Sequence, residues 1–476
     1  MLSYFKLSRF FLYIIPFGVA IVSRSTLFPF IVGKYVWFRS LVAIALILFL
    51  LGLLFDQQKR IYWERFKKIV RHPLFIVVGI FVLAFVLACF FGVDPYFSFW
   101  SNFERGEGGF QMLHMFAFFA LLVALFRKKE YWQKFFLIFI LAALLMITYG
   151  MFSELKYVDA ELIAEEVNGN INFILSGRGG PLFQTFHNFL GPSFIDSGYR
   201  FQGSIGNPAY VAIYLIFSTF FASYLLVSGW RKLETWKKLT FFGGIAIFLV
   251  YFFQAATRGA FLGLGAGVFA GLLYLGLSRK SWRKPAIGIL IFLILITGTM
   301  IHFKDTDFVK NIPGSRIFDI SLKAKTFQHR AIMWGIAWDG FLERPVFGWG
   351  PENYMRIFQE KYDPAYYTPS RGFGAWFDRA HSIIFDYLAE TGVIGLLSYL
   401  SIWVVYFWTL VKKRALLTTH YPLLTALFIA LPIAYLVQGL ALFDISTTYI
   451  PLFAFLGFAV YKFETLNNKE NQHELV

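Results

Sequence analysis

The chain has 476 residues, 58% of them hydrophobic and only 15% charged, with a formal net charge of +16 and a positive mean hydropathy. No ordinary soluble domain has that composition, so the chain reads as an integral membrane protein. One cysteine, Cys89, excludes an intramolecular disulfide and a cysteine-built zinc site, and basic residues scattered between apolar runs argue against a nucleic-acid partner.

Runs long enough to cross a hydrocarbon core of about 30 Å recur along the sequence. Twelve are expected, near 10–23, 38–55, 74–92, 111–126, 135–150, 208–228, 239–256, 259–277, 286–301, 392–411, 421–440 and 446–461. Lys6 and Arg9 lead into the first, which reads as a retained span and not as a cleaved signal peptide. Five short connections, 59–71, 127–134, 231–238, 279–284 and 412–414, are loaded with Lys and Arg. The positive-inside rule assigns them, and both termini, to the cytoplasm. The first of them alternates basic and apolar residues and is expected along the inner interface.

The opposite side then receives 94–110, 151–207, the turn at Thr257-Arg258, and a polar, aromatic island over 302–380. The expected organisation is a single all-α membrane domain over 1–461. It carries an outer loop at 151–207 and a large outer loop at 302–380 between the ninth and tenth spans. A disordered cytoplasmic tail, 462–476, follows. Gly259, Gly263 and Gly267, at four-residue intervals, predict close approach of a neighbouring helix, which is packing and not chemistry.

Inside the island, apolar residues at helical spacing predict a helix over Phe327 to Leu342, ended at Arg344-Pro345 because the residue before proline is driven out of the α region. A turn through Phe347-Gly348-Trp349-Gly350-Pro351 leads into a second short helix starting near Glu352. Tyr362 to Phe377 reads as irregular and aromatic. Asp378 is expected to cap the next helix, putting His381 in its first turn, and Ala389-Glu390-Thr391-Gly392 to interrupt that helix.

Arginines at an outer membrane face run against the charge rule unless they serve a ligand or a site. Arg258, between two apolar runs, can snorkel to the rim, but with Thr257 and Gly259 beside it an anionic ligand suits it better. Arg330 reads equally as a surface helix residue. Arg200 and Arg105 lie on the two earlier outer segments. Four such guanidiniums suggest a phosphate or pyrophosphate clamp, because the planar fork binds these oxygens in pairs. His381, at the mouth of a span near them, is expected to stay neutral and able to accept a proton. Asp386 lies about 140° and Glu390 about 180° round a helix from it, so neither is expected to orient it. Asp305-Thr306-Asp307 is too common a pattern to mark a metal site, and neither metal nor cofactor is expected. The aromatic residues suit sugar stacking or an interfacial belt, and for any single one the belt is the better reading.

The string Arg330-x3-Trp334, Arg344-Pro345-x2-Gly348-x-Gly350-x2-Asn353 and Ala380-His381-Ser382-x3-Asp386-x3-Glu390-Thr391-Gly392-x2-Gly395 resembles the O-antigen ligase family, with its related polymerases and protein O-oligosaccharyltransferases. Asp94-Pro95-Tyr96-x-Ser98, Arg105-x2-Gly108, Gly206-Asn207-Pro208 and Thr257-Arg258-Gly259 agree, so the likeness runs over about 74–410. The resemblance implies a GT-C-like membrane glycosyltransferase of the bacterial inner membrane, acting on its periplasmic side. It would move a glycan from undecaprenyl pyrophosphate to an acceptor hydroxyl, with inversion and without metal. The acceptor would be a lipid A-core, a growing glycan (polymerase) or a protein; a lipid-linked glycan flippase is the alternative outside the enzymes. The family's essential residues map onto Arg258, Arg330 and His381. Arg105, Arg200, Asn207, Trp334 and Asn353 are the substrate-binding candidates. Ser382 stands where the family usually has Asn.

Overall fold

The structure, a computed structural model, describes residues 3–23, 25–102, 105–167, 200–312, 314–318, 325–362, 377–413 and 421–466. Most of the expected outer loop (168–199), the aromatic segment with Tyr366, Tyr367 and Trp376, and the end of the expected tail (467–476) lie outside them.

The described residues are helical, with no strand among them. In chain order the helices are α1 (Tyr4–Ile14), α2 (Val32–Phe55), α3 (Lys59–Ile69), α4 (Pro73–Phe91), α5 (Pro95–Trp100), α6 (Gly109–Leu125) and α7 (Lys129–Val167). Then come α8 (Pro208–Gly229), α9 (Thr235–Gln254), α10 (Arg258–Ser278), α11 (Lys280–His302) and α12 (Asp307–Lys310). The last are α13 (Lys325–Glu343), α14 (Tyr354–Glu360), α15 (Ile383–Lys412), α16 (Pro422–Gly439) and α17 (Ser446–Thr465).

Among the described residues nine helices are long and apolar enough to cross a membrane: α2, α4, α7 over Lys129–Phe152, α8, α9, α10, α11, α15 and α16. The other three expected runs are also helical. Near Pro16, α1 passes into a 3-10 turn, Ile15–Ala20, α6 is shorter at 17 residues, and α17 is almost wholly buried. Several helices start on proline, whose ring presets the first helical φ and whose predecessor is held extended. In three of these the predecessor also caps: His72, Asp94 and Asn207 accept from the N–H of Leu74, Phe97 and Ala209.

Two expectations change. Residues 151–167 continue α7 and do not begin a loop. Residues 462–465 are the buried end of α17 and not a disordered tail. Glu464 pairs with Arg65 at 3.6 Å, and the Lys462 ammonium lies over the Tyr224 ring, contacts that the polar sequence did not advertise.

Small residues set the closest helix pair. A Cβ on Gly263 would come within 2.5 Å of the Ala434 carbonyl of α16; Gly267 meets Ala430 and Gly271 meets Ala426 in the same way. Gly259 makes only ordinary contact with Ala441. Most buried apolar residues form one large core between the helices. A second, smaller core, built from Met333, Ile336, Trp349, Tyr354, Ile357 and Phe358, joins α13 and α14 to α15 at Ala389.

Candidate functional site

The α9–α10 connection is a tight turn. Ala256 takes a left-handed φ of 45°, and Thr257 ends the turn as the residue before α10. Arg200 holds it: Nε donates to the Ala255 carbonyl at 3.1 Å and Nη2 to Thr257 Oγ1 at 2.9 Å. Gly314, with φ of 81°, lets the following chain lie against the Phe253 carbonyl, an approach any side chain would block. The next 3-10 turn, Ser315–Phe318, therefore docks here, and Arg258 Nε donates to the Arg316 carbonyl at 3.2 Å. Arg330, near the start of α13, completes the group. Burial first, then Arg316, Arg330 and Arg258, pushes the pKa of Arg200 down to about 10. Arg330 is lowered in the same way, by burial and by Arg258. Like charges this close raise the free energy of the empty site and favour an anion among them.

His381 is set by a different device. The buried Arg379 guanidinium reaches four carboxylates: Glu390 at 2.8 Å, Asp386 at 3.2 Å, Glu107 at 3.8 Å, and Glu352. Burial opposes the Arg379 charge, but these carboxylates outweigh it and raise its pKa. Asp386 also accepts the Ala380 N–H at 3.0 Å. The chain is so gripped at 379 and 380 that His381 adopts a φ of 53°, a left-handed conformation that costs a residue with a Cβ free energy. The helix begins only at Ile383, with Ser382 before it. This corrects the expectation that Asp378 caps it and that His381 sits in its first turn: Asp378 is drawn instead into an ion pair with Arg105.

The imidazole Nδ1 lies 3.1 Å from the Arg379 carbonyl. A carbonyl can only accept, so Nδ1 carries the proton and Nε2 presents a lone pair. The ring is wedged edge-on between Phe377 and Phe443, at 5.1 and 5.2 Å. Burial and the Arg330 charge lower its pKa below the usual histidine value, against the Arg379 carbonyl and the carboxylates of Asp378 and Asp386. Asp386 and Glu390 act on Arg379 and do not hydrogen-bond the imidazole, and the reason is their pairing with Arg379, not helix geometry, because His381 lies before the helix.

The glycine-rich turn supports both parts. Gly348 and Gly350 have φ of 69° and 91°. Trp349 and Gly350 donate their N–H to the carbonyls of Ala389 and Glu390 at 3.0 and 2.8 Å. Gly392 (φ 64°) kinks α15 beside them, and Val393 donates to the Pro345 carbonyl at 2.8 Å. Asn353 is buried, its amide donating to Ser98 Oγ at 2.7 Å, and Arg356 pairs with Asp94 at 2.7 Å.

A cavity of about 610 Å³ opens where these pieces meet, within the usual range for ligand sites. Arg258, Arg330 and His381 all line it, as do Arg105, Arg200 and Asn207. Asn353 and Trp334 do not. The Asn353 amide N–H groups go to Ser98 and to its own turn, and Trp334 stacks on Phe385 at 5.4 Å. Among the described residues the lining holds six basic side chains, Lys34, Arg105, Arg200, Arg258, Arg316 and Arg330, against two carboxylates, Glu107 and Asp378. Lys34 and Arg105 are engaged, Lys34 with the carbonyls of Ile21 and Ser204 at 2.5 and 2.7 Å, Arg105 with Asp378. Sequence reasoning missed Arg316, Glu107, Tyr210, Phe443 and Thr447. Arg316 was one island arginine among several, and the 441–447 connection was too short to attract notice.

Residues 243–400 match the family model described as O-antigen ligase. That stretch contains Arg258, Arg330 and His381. No curated protein matches the chain.

Proposed function

From the match of residues 243–400 to the O-antigen ligase family, we propose that this membrane protein is a glycosyltransferase that moves a glycan from undecaprenyl pyrophosphate to an acceptor hydroxyl. The observation that carries the reading is the shared wall of one cavity: Arg200, Arg258, Arg316 and Arg330 face the same space as His381. Four guanidiniums suit the charge of a pyrophosphate, and the leaving group gains negative charge as it departs. Two of them are fixed in advance, Arg200 by the Ala255–Thr257 turn and Arg258 by the Arg316 carbonyl, which lessens the reorganisation needed during the reaction.

In the proposed step, the acceptor hydroxyl oxygen attacks the anomeric carbon. The bond from that carbon to the phosphate oxygen breaks, and undecaprenyl pyrophosphate leaves with the electron pair. His381 Nε2 takes the hydroxyl proton, its Nδ1–H held on the Arg379 carbonyl. One displacement inverts the anomeric centre. Arg258 and Arg330 are the catalytic cations and neither metal nor cofactor takes part. Arg105 and Asn207 shape the rim. The acceptor is a lipid A-core, a growing polymer or a protein hydroxyl.

The same reading includes a GT-C-like architecture of twelve spans within one membrane domain of the bacterial inner membrane, a domain that runs to the end of α17. Both termini and the five basic connections are then cytoplasmic, and the cavity is periplasmic.

The test is reconstitution. Purified protein in lipid nanodiscs, given an undecaprenyl-pyrophosphate-linked oligosaccharide and candidate acceptors, is expected to release undecaprenyl pyrophosphate and a glycan joined to the acceptor, identified by mass spectrometry. Movement of labelled carrier lipid across vesicles with no glycan transfer would overturn the reading in favour of a flippase.

A further inference from the structure

The cavity has a second wall that the arginines do not explain. Glu107, Tyr210 and Thr447 line it, each at most 6% exposed. Each carries a buried side-chain oxygen without a hydrogen-bond partner: Glu107 Oε2, Tyr210 Oη and Thr447 Oγ1. Buried polar atoms are normally satisfied, and three unsatisfied ones on residues that line the same cavity offer hydrogen-bonding positions to a ligand or water. The groups are built in and not adrift. Glu107 Oε1 accepts the Ser446 N–H at 2.6 Å, and Oε2 lies 3.8 Å from Arg379 Nη2. The Tyr210 ring packs edge-on against Phe443 at 5.8 Å, and Phe443 in turn touches the His381 ring.

The chemistry of this wall differs from that of the arginine wall. A carboxylate oxygen only accepts and repels a phosphate, whereas the two hydroxyls both donate and accept. Such a set fits a neutral ligand rich in hydroxyl groups. We propose that Glu107, Tyr210 and Thr447 form a subsite for the hydroxyls of a sugar ring, seated across Phe443 from His381 and apart from the anion-binding arginines. This rests on the glycosyl-transfer reading of the cavity and adds to it which wall takes the sugar. The sugar can belong to the donor or to the acceptor.

The test uses the full-length protein in nanodiscs with methyl glycosides of glucose, galactose and N-acetylglucosamine as probes, observed by saturation-transfer NMR, and inorganic pyrophosphate as a separate ligand. Tyr210→Phe and Thr447→Val keep shape and remove only a hydroxyl, and thermal melting checks their folding. Each is expected to weaken glycoside binding about tenfold and to leave pyrophosphate binding unchanged; Arg316→Gln is expected to do the reverse. Glycoside binding that is absent from the wild-type protein, or equal in Tyr210→Phe, Thr447→Val and wild type, overturns the subsite. A wild-type protein that binds glycosides but not pyrophosphate overturns the pyrophosphate clamp and leaves the subsite standing. In transfer assays, a raised KM for the acceptor alone identifies an acceptor sugar, and a raised KM for the carrier-linked substrate alone identifies a donor sugar.

Discussion

Two charge clusters flank His381, and they are built in opposite ways. Around Arg379, one guanidinium is enclosed by four carboxylates, all buried within hydrogen-bonding or ion-pairing reach. Across the cavity, Arg200, Arg258, Arg316 and Arg330 are gathered close enough to disturb one another's charge. The first cluster is largely paired within itself, though Glu107 Oε2 lacks a hydrogen bond, and so gives shape: it clamps residues 379 and 380 and forces the His381 backbone. The second is crowded with like charge and lines an open cavity, so an anion that enters it gains more than a neutral ligand does. A buried, internally paired cluster and an outward-facing, same-sign cluster are therefore expected to fail differently when cut.

The largest effect is expected from Arg379→Ala. It leaves four carboxylates buried without their cation, and loss of one partner from a buried ion pair costs roughly 3–5 kcal/mol. Thermal unfolding should fall sharply, with activity lost as a consequence. If Arg379→Ala melts like the wild type, the contrast between the clusters is broken. Next, His381→Gln should lower glycan transfer by about 10²–10⁴-fold with an unchanged melting curve and unchanged pyrophosphate binding. Arg316→Gln should fold normally and weaken pyrophosphate binding about tenfold. Raising salt should weaken wild-type pyrophosphate binding too, because the arginine wall faces an open cavity, whereas it should leave the melting temperature set by the Arg379 cluster nearly untouched.

The smallest effect sharpens the link between the clusters. The His381 pKa is depressed, by burial and by Arg330. The folded protein thus keeps a neutral imidazole below the usual histidine pKa, and transfer should hold through neutral pH and fall only as acidity protonates Nε2. Removing the Arg330 charge, in Arg330→Gln, takes away one lowering influence, so the acid limb of the remaining activity should move to higher pH. An acid limb at the same pH in both proteins would uncouple the arginine wall from the base.

Much was legible without coordinates. Every expected apolar run but the first lies almost wholly on one helix, because apolar chains of that length leave the backbone no better way to satisfy its polar groups in lipid, and the first passes from α1 into a 3-10 turn at Ile15. The island helix expected over Phe327 to Leu342 is α13, Lys325–Glu343, stopped where Pro345 removes the α conformation from Arg344. Gly392 does interrupt α15. Local rules were less able where tertiary pairing competes. Asp378 has the right chemistry for a cap but is taken by Arg105, 273 residues away in sequence. Residues 462–465 look like the start of a polar tail, but Lys462 and Glu464 find buried partners.

The amino-acid order alone determined that this chain is a set of apolar helices with basic connections, and that a few arginines and one histidine stand out against that background, because hydropathy and charge act over one span at a time. Only the tertiary structure decided which of those residues face each other. The wall that joins Arg200, Arg258, Arg316 and Arg330, and the second wall of Glu107, Tyr210 and Thr447, are each assembled from segments far apart in the chain. Such convergence depends on glycine-permitted close approaches at Gly314, Gly350 and Gly392 and on the buried pairing of Arg379, and no local pattern of side chains encodes a distance between two segments that distant in the chain.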